Sequence, residues 1–148
     1  SYKLGLSVIL VGDKQDSIFY VNSIKKYCER LNIKWDIPSR LPEATLPALT
    51  LQPLVENAIY HGIEPLPEGG EIAIIIICRD EKLNIQIRNP ISAQMKESSR
   101  QGNQMAIENI RERMLLAFSG AADMRVEAEK EQYTVTLEIP TNGLENGK

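Results

Sequence analysis

The chain has 148 residues, of which 43% are hydrophobic and 25% charged, and its formal net charge is −3 at pH 7. A domain of this length buries about two-thirds of the surface of its unfolded chain. Basic residues do not cluster and no apolar run reaches the roughly 18 residues of a membrane span, which excludes a nucleic-acid footprint and a membrane helix. Cys28 and Cys78 are too few and too far apart for a disulfide framework, which favours a reducing, cytoplasmic location.

The first 44 residues predict one weak helix and one strand. Residues 1–12 are interpreted as a truncated linker from an upstream region, and the segment Val8 to Tyr27 has a mediocre helical pattern. In Leu31 to Ile37 apolar and polar residues alternate, which predicts a half-buried strand that ends at Pro38. Ser39 to Ala44 is polar and predicts a loop.

The longest segment with helical periodicity is Leu46 to Glu64. Its apolar residues recur at three- and four-residue spacings and therefore share one helix face. They are Leu51, Leu54, Val55, Ala58 and Ile59. Pro53 must lie in the first turn, because a proline inside a helix removes a hydrogen bond and clashes with the preceding turn. Gly62 is expected to end the helix.

Three polar side chains flank the apolar face of this helix. Asn57 and His61 are four residues apart, and Glu56 lies about 100° around the helix from Asn57. A carboxylate, an amide and an imidazole are thus expected at the rim of a buried helix. Two other interpretations stay open: Glu56 and Asn57 could form a solvated face, and His61 could merely cap carbonyls at the helix end.

The next segments predict a hairpin. Ile63 to Gly70 contains two prolines and two glycines and is a connector. Glu71 to Arg79 is apolar on both sides, which predicts a central strand covered on both faces, or nearly so. A tight turn at Asp80 and Glu81 joins it to an alternating strand, Leu83 to Ile87, so the pair is antiparallel.

The polar segment Ile91 to Gln104 lacks periodicity, which predicts either a lid over a site or a disordered loop. Met105 to Phe118 then predicts a helix that ends at Ser119 and Gly120. The residues expected on its inner side are Ile107, Ile110, Met114, Leu115 and Phe118.

A second hairpin is predicted from Met124 to Lys130 and from Tyr133 to Ile139, and residues 141–148 form a polar tail. Alternating strands with helices on one face predict a two-layer α+β sandwich around a mixed, mostly antiparallel sheet.

The segment Leu51 to Gly62, LQPLVENAIYHG, closely resembles the N-box of the ATP-binding domain of LytS/AlgZ-type sensor histidine kinases. Arg30 to Pro38 resembles the first strand of that domain, and Ala106 to Met114 resembles the helix after its glycine-rich lid. The resemblance covers about residues 13–140. It is strongest to the alginate-regulating AlgZ (FimS) branch, whose members carry an Asn-Pro pair after the third strand.

The resemblance implies a Bergerat nucleotide fold with ATP and Mg²⁺ as cofactors. It implies the catalytic domain of a two-component sensor histidine kinase, which presents MgATP for autophosphorylation of a histidine outside this chain. By the resemblance, Asn57 is the Mg²⁺ ligand and Glu56 the base or polariser, while His61 and Gly62 line the phosphates. Implied partners are a response regulator and upstream histidine-bearing helices that dimerise the full-length inner-membrane sensor, with no nucleic acid and no membrane contact by this domain.

Two other boxes of that family are altered here. Asn89 stands where the family has an aspartate that accepts a hydrogen bond from the adenine amino group, and an amide oxygen can still accept it without charge. The lid box survives only in part in Gly102 to Asn109, because Gln104 and Ala106 replace glycines that let phosphate approach the backbone. The candidate nucleotide-binding residues of this half are Asn89, Gly102, Ala106, Asn109 and Arg111.

Three functions therefore stay open. The first is an ATP-binding kinase domain. The second is a nucleotide-poor docking module of the same fold that binds a response regulator, which the altered boxes favour. The third is another member of the same ATPase superfamily, such as the gyrase or mismatch-repair type. Arg111 also fits a solvated helix face as well as a phosphate contact.

Overall fold

The computed structural model describes residues 32–39, 44, 46, 47, 50–91 and 97–141, the last range with side chains from Gln104 onward. The helix expected in Val8 to Tyr27, the linker at 1–12 and the tail from 142 lie outside the described residues. The described elements are β1 (Asn32–Asp36), α1 (Leu51–Ala58), a π-helix (Ile59–Ile63), β2 (Glu71–Arg79), β3 (Lys82–Pro90), α2 (Glu97–Ala117), β4 (Asp123–Ala128) and β5 (Gln132–Pro140). Neither of the α-helices in these ranges is long and apolar enough to cross a membrane.

The five strands form one sheet in the order β1-β2-β3-β5-β4. Strand β1 pairs with β2 in parallel, and the other pairs are antiparallel. A parallel pair needs a crossover connection, and α1 lies in the connection from β1 to β2. The two hairpins pack side by side because β3 pairs with β5, with Asn89 opposite Tyr133. The predicted mixed, mostly antiparallel α+β architecture is confirmed.

The core lies between one face of the sheet and the helices. Alternate side chains of β2, β3 and β5 are buried, as a period of two requires for one covered face. The buried apolar residues of these three strands are Ile72, Ile74, Ile76, Leu83, Ile85, Ile87, Val135, Leu137 and Ile139. The helices contribute Leu54, Val55, Ala58, Ile107, Ile110 and Met114 to the same core, and Phe118 joins it from the turn directly after α2. This is the two-layer sandwich that the alternating strands predict.

Strand β2 is covered on one face rather than two, so the expectation of two covered faces is wrong. Ile72, Ile74 and Ile76 are buried, whereas Ile75 is half-buried and Ile77 is 46% exposed. The described helices pack on the opposite face, so within the described part of the chain the outer side chains of β2 lie against their neighbours in the sheet.

Helix α2 begins eight residues before the predicted start, at Glu97 rather than Met105. Periodicity reports burial, and the polar sequence from Glu97 to Gln104 carries no apolar signal although Glu, Gln and Arg favour helices. The loop prediction for Ile91 to Gln104 is therefore wrong from Glu97 onward. Leu115 was also expected on the inner side, but it is 57% exposed because Met114 and Phe118 fill that side.

The N-box helix continues past its predicted end. Pro53 lies in the first turn of α1, as expected. Gly62 does not end the helix, however, because the π-helix runs through Ile63 and the Glu64 N–H donates to the Ile59 carbonyl at 3.0 Å. A π turn inside a helix is uncommon and often lies at a functional site.

Thr141 anchors the end of β5 to the β2–β3 turn. Its backbone N–H and its hydroxyl both donate to the Glu81 carbonyl, each at 2.9 Å, and the side chain is buried. Thr141→Val keeps the shape and the backbone bond but removes the hydroxyl donor. We expect a loss of about 1 kcal/mol in the free energy of unfolding by urea titration. An unchanged stability would show that this hydroxyl does not hold the two chain segments together.

Candidate functional site

A cavity of about 680 Å³ lies between the covered face of the sheet, α1 with its π-helix, and α2. Its volume is within the range of small-molecule and cofactor sites. Helix residues on its wall are Leu54, Asn57, Ala58, His61, Gln104, Ile107, Glu108 and Arg111. Residues from the sheet and its connections are Ile87, Asn89, Pro90, Ile91, Val126, Ala128, Glu129, Lys130, Tyr133 and Val135. A mostly apolar wall with a few polar groups is typical of a binding site for an organic ligand.

The N-box helix contributes two of its three polar residues to this wall. Asn57 is half-buried and His61 is buried, and both line the cavity. The imidazole of His61 contacts the Tyr60 ring edge-to-face, with ring centroids 4.8 Å apart at 87°. His61 was expected at the rim, but the π-helix that carries it turns it inward.

Asn89 lies at the end of the buried face of β3 and is 5% exposed. Its Nδ2 donates to the Pro90 carbonyl at 2.8 Å. Gly62 lies against this side chain, since a Cβ at Gly62 would come within 2.8 Å of both Cβ and Cγ of Asn89. Two motifs that are separate in the sequence, the N-box on the helix and the position of Asn89 on the sheet, are therefore in contact through Gly62 and Asn89.

The polar groups on the α2 side and on the β4–β5 connection carry charge of both signs. Arg111 and Lys130 are cationic, and Glu108 is anionic, and all three are exposed residues that line the cavity. Gln104 also lines it, and its Nε2 donates to Glu108 Oε1 at 3.2 Å. This rim can contact a charged part of a ligand, while the apolar interior suits a ring.

Five of the predicted site residues do not line the cavity. Gly62 packs against the Asn89 side chain but does not form part of the cavity wall. Glu56 is exposed and accepts a hydrogen bond from Gln52 Nε2 at 2.7 Å. Asn109 is exposed and Ala106 is half-buried on α2, away from the cavity wall, and Gly102 belongs to a turn of the same helix. The roles predicted for these residues stay predictions.

Several wall residues had no functional signal in the sequence. Tyr133 was expected only in the core, yet it is half-buried and lines the cavity beside Asn89, its cross-strand partner. The sequence predicts Glu129 and Lys130 only as the end of an ordinary strand. Their place beside the helices follows from the pairing of β3 with β5, which sequence spacing alone does not show.

The site offers few protein atoms that could bind a metal ion. Among the described residues, no group of three or more His, Cys, Asp or Glu side chains could hold a metal ion. The Asn57 amide oxygen is the donor that the sequence predicts for this wall. One amide oxygen fits Mg²⁺ that takes its other ligands from phosphates and water, as this ion commonly does.

His61 is neutral at physiological pH. Burial lowers the pKa of its imidazole below the ordinary value of 6.5, and the Glu64 carboxylate opposes part of this shift. The unfolded chain therefore binds the proton more readily, so His61 destabilises the folded state as the pH falls below about 6.5.

His61→Gln removes this titration. We expect the wild type to lose more unfolding free energy than His61→Gln between pH 7.5 and pH 5, in urea titrations at both values. Carboxylates titrate in both proteins, so the difference between the two losses isolates the imidazole. Equal losses would contradict a lowered pKa at His61.

Comparison with known proteins identifies relatives of one kind. No protein-family model matches the chain. The sensor histidine kinase BtsS of Escherichia coli (strain K12) is 32% identical in an alignment 133 positions long, which covers 84% of this chain and 23% of BtsS. The sensor histidine kinase YesM of Bacillus subtilis (strain 168) is 29% identical in an alignment 141 positions long, which covers 90% of this chain and 24% of YesM. The chain thus spans about a quarter of the length of these relatives.

Solved structures show the same fold. The nucleotide-free catalytic domain of the histidine kinase ThkA superposes with a TM-score of 0.52 at 17% identity, covering 88% of this chain and 92% of that domain. This likeness, with the five-stranded sheet, confirms the predicted fold class. The chain has the fold of histidine kinase catalytic domains, and the relatives that match most of its length are sensor histidine kinases.

Proposed function

We propose that this chain is the ATP-binding catalytic domain of a two-component sensor histidine kinase. The observation that carries the proposal is the cavity of about 680 Å³ whose wall brings together Asn57, His61, Asn89 and Arg111. These four residues come from three separate sequence segments, and the resemblance predicts a nucleotide-binding role for each of them. The sensor histidine kinase relatives support the same assignment.

The ends of the cavity suit the parts of a nucleotide. Asn89 and Tyr133 lie beside the apolar interior and suit the base, whereas Arg111 and Lys130 lie at the exposed rim and suit the phosphates. His61, neutral and buried, offers an aromatic face and one hydrogen bond rather than a charge.

Asn57 would hold Mg²⁺ through its amide oxygen, with the remaining ligands from phosphate and water. When bound, MgATP supplies the phosphoryl group that is transferred. The role of this chain is to position the phosphoryl group and to neutralise its charge, and these are the two things that phosphoryl transfer most needs from a protein.

The phosphorylated residue would lie outside this chain. His61 is its only histidine, and it is buried in the cavity wall, so it is poorly placed to accept the phosphoryl group. We propose that histidine-bearing dimerisation helices of the full-length protein supply the acceptor and that a response regulator receives the phosphoryl group. The sequence likeness to the AlgZ branch adds alginate regulation to this proposal.

A second candidate function follows from Gln104. This side chain lines the cavity and bonds to Glu108, at a position where a glycine would leave the backbone open to phosphate. A nucleotide-poor docking module for a response regulator would tolerate this side chain.

Calorimetric titration with a non-hydrolysable ATP analogue separates the two functions. We expect saturable binding in the high micromolar to millimolar range, weakened when EDTA removes Mg²⁺. No heat of binding up to millimolar nucleotide, with pull-down of the cognate regulator in the absence of ATP, would overturn the kinase-domain proposal in favour of the docking module.

A further inference from the structure

Strand β4 lies at one edge of the described sheet and pairs there only with β5. The Glu129 N–H donates to the Gln132 carbonyl at 2.9 Å, so these two residues form a hydrogen-bonded pair of the hairpin. Such pairs alternate along an antiparallel ladder, so every second residue of β4 bonds to β5. The residues between them point their backbone N–H and C=O groups away from the sheet, and these are Met124, Val126 and Ala128.

The side chains of β4 divide by the same alternation. Met124, Val126 and Ala128 are apolar and lie on the covered face of the sheet, where the last two line the cavity. Asp123, Arg125 and Glu127 are exposed on the outer face, and their charges alternate in sign. Arg125 Nε donates to Asp123 Oδ2 at 2.8 Å. The edge therefore has one apolar side and one side of alternating charge.

This pattern is complementary to itself. Consider a second copy whose β4 runs antiparallel to the first, about a two-fold axis beside Val126. Val126 then faces Val126 of the second copy, and Met124 faces Ala128, so the outward N–H and C=O groups of both strands are paired. On the outer face each Arg125 lies opposite Glu127 of the second copy. Opposite charges in directly opposed positions stabilise a strand pair.

The charges also oppose the neighbouring registers. A shift by two residues keeps the faces of the strands but places Arg125 opposite itself in one direction and Glu127 opposite itself in the other. Charged residues on an edge usually prevent pairing with other chains, and here they do so in these registers. In the favoured register Asp123 would face Glu129, but Glu129 lies beyond the end of β4 and Asp123 is already bonded to Arg125.

We propose that the edge of β4 is an interaction surface for the β4 edge of a second copy of this chain, with the two-fold axis beside Val126. The contact is isologous, because each copy uses the same residues. It joins the two described sheets edge to edge and leaves both cavities on the same face. It also covers the cavity at the sheet edge, since Val126 and Ala128 belong to the cavity wall.

An exposed leucine lies on the same side of the molecule. Leu115 is 57% exposed on α2, seven residues after Glu108 and four after Arg111, so the three share one helix face. Glu108 and Arg111 line the cavity together with Val126 of β4. This face of α2 is therefore turned toward the sheet edge, and pairing of the edges brings the two Leu115 side chains toward each other.

The pairing is expected to be weak. Two strands of six residues bury little surface, as in transient contacts between proteins. Domains that are already joined elsewhere reach effective concentrations in the millimolar range, where a weak contact forms. The contact thus goes beyond the proposed kinase function, and the dimerisation helices proposed for the full-length protein would strengthen it without being required for it.

Sedimentation equilibrium of the 148-residue chain without nucleotide tests the surface, from about 10 µM to about 1 mM. We expect a reversible equilibrium between monomer and dimer. Glu127→Arg should weaken dimerisation by about tenfold, because two cross-strand pairs change from opposite to like charges. Glu71→Arg is the matched control, since it makes the same change at an exposed position of β2, away from β4. It should dimerise like the wild type.

A mixture of two variants tests the register. Arg125→Glu should also weaken dimerisation, because it places two glutamates opposite each other. When Arg125→Glu is mixed with Glu127→Arg in equal amounts, both cross-strand pairs regain opposite charges. The mixed dimer should therefore be more stable than the dimer of either variant alone.

Val126→Pro tests the backbone hydrogen bonds of the edge. A proline there removes an N–H that points away from β5, so the ladder between β4 and β5 is kept. We expect loss of the dimer with an unchanged far-ultraviolet circular dichroism spectrum. A folded Val126→Pro protein that dimerises like the wild type would overturn the proposed strand pairing.

The other outcomes are equally decisive. A wild type that stays monomeric up to about 1 mM, or a dimer that Glu127→Arg leaves unchanged, would overturn the surface. A mixture that dimerises no better than its components would overturn the register. Since no nucleotide is present, each of these results leaves the kinase-domain proposal intact, whereas a chain that dimerises but binds no ATP would overturn that proposal alone.

Discussion

Asn57→Ala is expected to lower the affinity for MgATP by at least about tenfold, the effect that changes around a metal ligand already have. Asn57 is half-buried on the wall of the cavity, and its amide oxygen is the proposed protein ligand of Mg²⁺. The variant should also lose the dependence of binding on Mg²⁺. Calorimetric titration of the ATP analogue with Mg²⁺ and with EDTA measures both effects.

Asn84→Ala is the matched control for this change. Asn84 is also a half-buried asparagine, but it lies on the outer face of β3, opposite Ile77 and Glu138. Asn84→Ala removes the same atoms as Asn57→Ala but outside the cavity. The affinity of the Asn84→Ala variant for MgATP should therefore equal that of the wild type. Binding that is indifferent to Asn57→Ala, or equally weakened by Asn84→Ala, would contradict the assignment of Asn57.

Leu137→Ala is expected to lower the free energy of unfolding by about 2–5 kcal/mol, the usual cost of this change in a core. Leu137 is 1% exposed at the centre of β5, between Ile85 on β3 and Met124 on β4. It therefore joins both hairpins in the core, and a cavity there has little room to collapse. Urea unfolding followed by circular dichroism measures the loss.

The exposed Leu116 provides the control for this substitution. It is 80% exposed on α2, so Leu116→Ala removes the same atoms without opening a cavity. Its stability should stay within about 0.5 kcal/mol of the wild type. A similar loss in both variants would show that the core does not lie between the sheet and the helices as described.

Much of the fold follows from periodicity, because periodicity records burial. The alternation in β3 and β5 and the apolar face of α1 each mark one covered side, and the structure covers those sides. The same reasoning fails for the start of α2, where Glu97 to Gln104 is polar and leaves no pattern. It fails for β2, where an apolar sequence does not say how many faces are covered.

The helix half of the candidate site was predicted more fully than the sheet half. Asn57 and His61 belong to one short segment, so their local spacing places them together. The packing of Gly62 on Asn89 and the approach of Lys130 depend on the sheet order and on the π-helix. Neither follows from local spacing: from the residues Gly62 is predicted to end the helix, and by the resemblance it is predicted to line the phosphates, but neither prediction places it against Asn89.

A nuclear magnetic resonance titration with Mg²⁺ and the ATP analogue tests the central claim most directly, because it reports where the ligand binds. The account predicts saturable shifts of the side-chain amide signals of Asn57 and Asn89 and of the His61 ring, with the Asn84 signal unchanged. Saturable binding that leaves Asn57, Asn89 and His61 unshifted would place the nucleotide elsewhere and contradict the account.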